Sequence, residues 1–114
     1  MSKTISMENG ADNADVNAKD QTFADCTAEG SNFDGATLAR MTFIDCDLYW
    51  ASFFMAKLSD VVFENCDLRG ADFKKAVFEN CRFLNCDLGQ DAICGNTVFD
   101  AGPVFVEFVN CRGR

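Results

Sequence analysis

Apolar residues recur at every fifth position through most of this chain. All fifteen positions taken in steps of five from Phe23 to Ile93 are apolar, and most of them are phenylalanine or leucine. Two residues before each of these central positions, from Cys26 to Cys86, stands a small or medium-sized residue. The pattern therefore predicts two inward-facing side chains in every five residues.

A second, longer period is superimposed on the first and is four times its length. Cys26, Cys46, Cys66 and Cys86 recur at every twentieth position, and each closes a Phe-X-Asp/Asn-Cys segment. A period of five matches neither an α-helix nor an alternating strand. It fits a chain that turns a corner every five residues, so that four sides close one coil. Stacked coils of this kind bury a continuous core, as in other solenoids.

Two segments carry a sequence motif of this period: ADFKK at 71–75 and CDLRG at 66–70. They resemble the A(D/N)LXX consensus of the pentapeptide-repeat family, and the resemblance covers residues 21–93. It implies an all-β fold, a right-handed quadrilateral parallel β-helix of about four to five coils. It also implies a function, because the best-characterised members of that family look like B-DNA in width and charge and bind type II topoisomerases such as gyrase.

The ends of the chain depart from the repeat. Residues 1–22 are polar and predict an N-terminal tail or cap. The β-helix is expected over 23–93, followed by an irregular last coil and C-terminal cap over 94–114. Pro103 occupies a slot meant for an inward apolar residue, whereas 108–112 (FVNCR) matches 78–82 (FENCR) at four of five positions. The register is therefore expected to resume after a looped-out stretch.

The seven cysteines are read as reduced thiols in a cytoplasmic protein, because their number is odd and no secretory signal precedes them. The longer period places four of them in one interior column. Four ligands in a line cannot converge on a tetrahedral zinc ion, so no metal or other cofactor is predicted. We interpret these four cysteines instead as small buried hydrophobes. Cys94 is the one thiol in an outward slot, and we expect it to react with alkylating reagents.

Acidic residues fall into columns of the same spacing. Asp47, Asp67 and Asp87 form one column about 4.8 Å apart if coils stack like strands. Asp25 and Asp45 stack at the neighbouring corner, and Glu64 adds a further charge beside them. We call these six residues the acidic ridge. It either serves the fold and solubility alone, or it imitates a nucleic-acid backbone and binds a partner.

One coil breaks the pattern of polar outward slots. Tyr49, Trp50, Phe54 and Met55 stand where other coils carry Gly, Asp, Glu, Arg or Lys. We call these four residues the aromatic patch. Side chains of this kind dominate interaction hot spots, so the patch predicts partner binding, self-association as a homodimer, or a surface covered by the N-terminal tail.

Composition and charge favour a protein-binding function over catalysis or nucleic-acid binding. The chain has 114 residues, a formal net charge of −8 and no histidine, so binding of nucleic acid through a basic surface is not expected. Without histidine the usual activation of serine or cysteine is missing, and we expect no enzyme. The sequence contains no apolar run long enough to predict a membrane span. The leading hypothesis is an acidic DNA mimic that inhibits or modulates a DNA-handling protein, either a topoisomerase such as gyrase or, as an anti-CRISPR protein, a phage-defence complex. The alternative is a non-catalytic interaction scaffold that uses the aromatic patch.

Overall fold

The computed structural model describes residues 5–89 and 106–113, and its regular structure consists of short parallel strands. The strands are β1 (Asn17–Lys19), β2 (Thr22–Ala24), β3 (Thr37–Ala39), β4 (Thr42–Ile44), β5 (Lys57–Ser59), β6 (Val62–Glu64), β7 (Val77–Glu79), β8 (Cys81–Leu84) and β9 (Val106–Val109). They form two sheets, in the orders β1-β3-β5-β7 and β2-β4-β6-β8-β9. We call these side 1 and side 2 of a four-sided coil. The predicted parallel β-helix is confirmed.

The other two sides have no regular strands and are joined by isolated bridges. On side 3, bridges run from Thr27 through Asp47 and Asp67 to Asp87; on side 4 they run from Asp12 to Asp72. Every pair in these ranges, and on sides 1 and 2 up to Leu84, joins a residue to the one twenty positions further along the chain. Each coil therefore has the length that the longer sequence period predicts.

Stacked aromatic rings fill the core. Phe63 lies between Phe43 and Phe83, with ring centroids 5.1 and 4.9 Å away and planes within 10° of parallel. Phe53 stacks in the same way between Phe33 and Phe73 on side 4. The two stacks meet edge to face, which is a favoured aromatic geometry. This arrangement explains why one residue type recurs in the central slots.

Each corner requires a left-handed backbone conformation. The residue two positions after a central residue has φ between 52° and 74° at every described corner of the regular coils. Asp, Asn and Gly occupy most of these positions, because they adopt positive φ more readily than other residues. Bulky residues also occur there, among them Trp50 and Met55.

The repeat begins earlier than residue 23. This corrects the expectation that residues 1–22 form a tail or cap and that the β-helix starts at residue 23. Residues 12–22 already form the first half of a coil, with Val16 and Ala18 buried. Asn13 occupies the inward slot filled by phenylalanine in later coils and is fully buried. Its amide exchanges two hydrogen bonds of 2.9 Å with the backbone of Ser6. Sequence patterning missed this coil because Asn13 breaks the apolar run, while its polar amide satisfies the open end of the solenoid.

The register resumes near the C-terminus as predicted. β9 pairs with β8, so that Val106 lies beside Cys81, and Phe108 stacks on Phe83 with centroids 5.1 Å apart. The segment 108–112 thus lies over 83–87 and not over 78–82, the segment whose sequence it copies. Cys111 consequently continues the thiol column above Cys86. Pro103 and Cys94 lie outside the described residues.

Replacing Phe63 with Ala should lower the free energy of unfolding by about 3–5 kcal/mol, because it leaves a cavity in the middle of the ring stack. Glu64→Ala in the same strand is the matched control and should change it by less than about 0.5 kcal/mol. Urea unfolding followed by far-UV circular dichroism measures both. Equal effects at the two positions would contradict the assigned register.

Candidate protein-interaction surface

The aspartate column of side 3 has a structural role. The backbone amides of Tyr49, Arg69 and Gly89 each donate a hydrogen bond of 2.9–3.1 Å to Oδ1 of the aspartate two residues before them. Asn32 and Asp72 accept the same bond on side 4. Such bonds stabilise the turn that follows. The column of Asp47, Asp67 and Asp87 therefore serves the fold whatever else it does.

Arg69 neutralises part of this column. Its guanidinium donates to both oxygens of Asp67, at 2.9 and 2.7 Å, and lies 3.8 Å from Asp87. Although burial raises the pKa of the Asp67 carboxyl, the hydrogen bonds from Arg69 hold it below its ordinary value. The repeat pattern did not reveal this contact, although Arg69 follows Asp67 by only two residues in the sequence.

The residues of the acidic ridge outside the side-3 column lie at one corner or directly before it. Asp25 and Asp45 are exposed at the corner between sides 2 and 3, where Asn65 and Asn85 follow in the same column. Glu64 lies instead on side 2, paired in the sheet with Ile44 and Leu84. Within the described part of the chain, Asp25, Asp45 and Asp47 form no salt bridge. These three carboxylates are the open part of the acidic ridge.

Negative charge is concentrated in the first two coils. Residues 5–50 contain nine acidic and two basic residues, whereas residues 51–89 contain six acidic and five basic residues. The nine acidic residues are Glu8, Asp12, Asp15, Asp20, Asp25, Glu29, Asp34, Asp45 and Asp47. The solenoid is thus electrically polar along its axis, which its net charge alone does not indicate.

Glu29 shows the effect of this crowding. The neighbouring carboxylate of Asp47 is the main cause that raises the pKa of Glu29 above its ordinary value. Glu29 stands one coil before Tyr49 in the same column, beside Asp47 on side 3. The first coils therefore hold carboxylates close enough to repel one another.

Trp50 protrudes from a corner column in which the other described positions are glycine. Gly10, Gly30 and Gly70 occupy these positions, whereas the Trp50 side chain is 53% exposed. Its indole lies flat over Gly70, where an added Cβ would come within 2.7 Å of the ring. Met55, at the next corner, is 54% exposed. Both residues adopt φ of 60°, a costly conformation for bulky side chains.

Tyr49 and Phe54, the other two residues of the aromatic patch, are only half-buried. The Arg69 guanidinium lies 5.0 Å from the centre of the Tyr49 ring, and the Lys75 ammonium lies 6.0 Å from that of Phe54. The patch thus combines two exposed apolar side chains with two rings that contact cations. Residues 5–8 run over the open end of the first coil beside Asn13, so this described part of the tail does not cover the patch.

The predicted thiol column lies inside the solenoid at three of its four positions, whereas Cys26 is only half-buried. Cys46, Cys66 and Cys86 are 1% exposed, and the thiols of Cys66 and Cys86 donate to carbonyls of the preceding coil at 3.2 Å. Contacts with the Cys46 and Cys86 thiols, together with burial, raise the pKa of Cys66. All six described cysteines are free, and no cluster of potential metal ligands occurs among the described residues. The described residues likewise contain no helix of the length and apolarity needed to cross a membrane.

A sequence profile described as a pentapeptide repeat region matches residues 14–92. The chain belongs to the pentapeptide-repeat family. The match includes the coil before residue 23 that the apolar pattern did not reveal. No curated protein sequence matches the chain.

Two solved structures of pentapeptide-repeat solenoids illustrate the similarity. QnrB1, a plasmid-mediated fluoroquinolone resistance protein, superposes with a TM-score of 0.66 and 25% identity over 79% of this chain and 44% of its own. A pentapeptide repeat protein from the Arabidopsis thaliana thylakoid lumen gives a TM-score of 0.58 and 30% identity over 76% of this chain and 61% of its own. The chain thus spans less than two thirds of either protein.

The native pentapeptide-repeat solenoid should protect Cys46, Cys66 and Cys86 from alkylation, because all three thiols are buried and bonded to backbone carbonyls. Cys26 and Cys111, which are half-buried at the ends of the column, should react faster. Iodoacetamide labelling followed by peptide mass spectrometry measures each rate. Chelators should leave the melting temperature unchanged, and a chelator-induced loss of structure would reveal a metal site.

Glu29→Gln should raise the melting temperature at pH 7. Because its pKa is raised, folded Glu29 binds its proton more tightly than unfolded Glu29, and its charge destabilises the fold above that pKa. The gain should vanish below about pH 4, where the carboxyl is protonated in both states. Thermal melts between acid and neutral pH measure this.

An Asp47→Asn background provides the control for Glu29→Gln. With the neighbouring charge removed, the second substitution should no longer raise the melting temperature at pH 7. A gain of equal size at acid and neutral pH would show that the effect is not electrostatic.

Proposed function

We propose that this pentapeptide-repeat protein is a non-catalytic DNA mimic that binds a DNA-handling protein in place of DNA. More specifically, we propose that the target is a type II topoisomerase such as gyrase. In this proposal the open part of the acidic ridge contacts the basic surface that normally holds DNA phosphates. The protein then acts in the cytoplasm, where its target works.

The main support for this proposal is the density of negative charge in the first coils. Residues 5–50 have a net charge of −7 and occupy little more than two coils, or about 10 Å of solenoid at ~4.8 Å per coil. Duplex DNA carries about six charges in the same length, at one per ~1.7 Å. The acidic half of the rod therefore matches DNA in charge per unit length.

The open part of the acidic ridge suits this role chemically. Asp25 and Asp45 carry carboxylates at one corner, and Asp47 lies beside that corner on side 3; cations within the described residues do not pair with them. A basic DNA-binding cleft would attract such a row over a distance set by the ionic strength and would accelerate association. The regular stacking of coils fixes the backbone positions of these residues, so little backbone ordering opposes binding.

One of the two similar structures favours a topoisomerase among possible targets. The similarity to QnrB1, a fluoroquinolone resistance protein, agrees with the gyrase binding that the family resemblance implies. A CRISPR complex offers a basic DNA channel of the same general chemistry. The same binding assay performed on such a complex would show whether the mimicry is aimed there.

The second candidate function is an interaction scaffold. It rests on Trp50 and Met55, which are each more than half exposed although both are large and apolar. A scaffold of this kind would hold a partner mainly by apolar contact. Its affinity would depend little on salt, whereas a DNA mimic loses affinity steeply as salt increases.

The triple variant Asp25→Asn, Asp45→Asn, Asp47→Asn should bind gyrase at least about tenfold more weakly at low salt, mainly through slower association. Its slope of log affinity against log salt should flatten by up to about three. Asn65, Asn85 and Asn32 already fill equivalent slots, so the variant should remain folded. Biolayer interferometry across salt concentrations and a supercoiling assay provide the measurements.

The matched control removes the same number of charges elsewhere: Asp60→Asn, Asp72→Asn, Glu79→Gln. It should bind almost as well as the unaltered protein, and duplex DNA should compete with both. Unchanged binding by the ridge variant, combined with loss of binding in Trp50→Ala, would exclude mimicry and support the scaffold.

A further inference from the structure

Sides 3 and 4 carry the same order of side chains in three successive coils. One column reads Glu29, Tyr49, Arg69, and the parallel column on side 4 reads Asp34, Phe54, Lys74. Backbone hydrogen bonds of 2.8–3.0 Å between consecutive coils hold both columns in register. An acidic band, an aromatic band and a basic band therefore follow one another along the solenoid axis.

The aromatic band forms the apolar centre of this surface. Trp50 and Met55 project from it, and Gly30 leaves open space before it on side 3. Lys74 is exposed beyond it and forms no ion pair within the described residues. Asp34 lies before it; Ser52 and the Phe54 amide donate to its Oδ1, which fixes the orientation of the carboxylate.

We propose that a second copy of this chain covers the aromatic patch in an antiparallel, two-fold symmetric dimer. A two-fold axis perpendicular to the solenoid axis, at the level of Trp50, brings the two patches together and reverses the direction of one chain. Each acidic band then faces the basic band of its partner. Asp34 of each protomer meets Lys74 of the partner subunit, and Glu29 meets Arg69 of the partner subunit.

The charges select this orientation over a parallel one. In a parallel dimer the two-fold axis runs along the solenoid, so side 3 of each chain faces side 4 of its partner at the same level. Glu29 would then face a second acid and Lys74 a second base. Like-charge juxtaposition of this kind opposes association, whereas the antiparallel arrangement pairs opposite charges twice.

The pair that tests the proposal is Asp34 with Lys74, because Arg69 keeps its contacts with Asp67 and Tyr49 in the isolated chain. The dimer also accounts for the strained positive φ of Trp50 and Met55, since both bulky side chains become buried. It leaves Asp25 and Asp45 accessible at a different corner, whereas Asp47 lies on side 3 beside Glu29. The dimer therefore goes beyond the proposed DNA mimicry and does not depend on it.

The experiment is sedimentation equilibrium of the full chain over a wide concentration range at low salt. The unaltered protein should show a reversible monomer–dimer equilibrium. Trp50→Ala should weaken dimerisation by about 30-fold or more, as for a hot-spot residue. Val77→Ala, which shortens an equally exposed apolar residue on side 1, should leave it unchanged.

Charge reversal at Lys74 distinguishes the antiparallel dimer from a parallel one. Lys74→Glu should weaken an antiparallel dimer by about tenfold, because the new carboxylate faces the partner's Asp34. In a parallel dimer it would face the partner's Arg69 and strengthen association. Lys57→Glu, the same change on side 1, is the control. A monomer at every concentration, a Trp50→Ala variant that dimerises normally, or a tighter Lys74→Glu dimer would each overturn the proposal. None of these measurements involves gyrase.

Discussion

Hydrogen bonds between the backbones of successive coils are the interaction on which the rest of the structure depends. On all four sides, a backbone amide donates to the carbonyl oxygen of the residue 19 positions ahead or 21 positions behind, with N–O distances of 2.6–3.1 Å. Because these bonds satisfy the backbone, they place equivalent residues of successive coils directly above one another. The stacked phenylalanines, the thiol column and the aspartate column are all consequences of this single offset.

The same offset creates an electrostatic difficulty, since a repeated acid must stack upon itself. The molecule relieves it locally in two ways. Backbone amides donate to the side-3 aspartates, and Arg69 bridges toward two of them. Relief is incomplete in the first two coils, where Asp47 raises the pKa of Glu29. Unneutralised charge therefore gathers at one end of the rod, where it is available for binding.

Many regular positions of a solenoid are committed to packing and turns, so a residue that breaks the repeat indicates a further role. Trp50 and Met55 occupy corners where glycine, aspartate or asparagine would be less strained. A smooth acidic rod with one raised aromatic band thus offers two distinct surfaces, one governed by charge and the other by apolar contact.

The sequence by itself determined the coil length, the inward residues and the parallel stacking, because one backbone offset imposes a period that side chains must follow. It missed the first coil, since Asn13 replaces an apolar residue and only its contacts with Ser6 reveal a cap. The structure places Glu64, the other residue of the acidic ridge, at the end of a strand between Ile44 and Leu84, and its role in binding stays a prediction. Tertiary structure decided which carboxylates are neutralised and which rings are covered. Those outcomes depend on where long side chains such as Arg69 reach across coils, and no linear period specifies that.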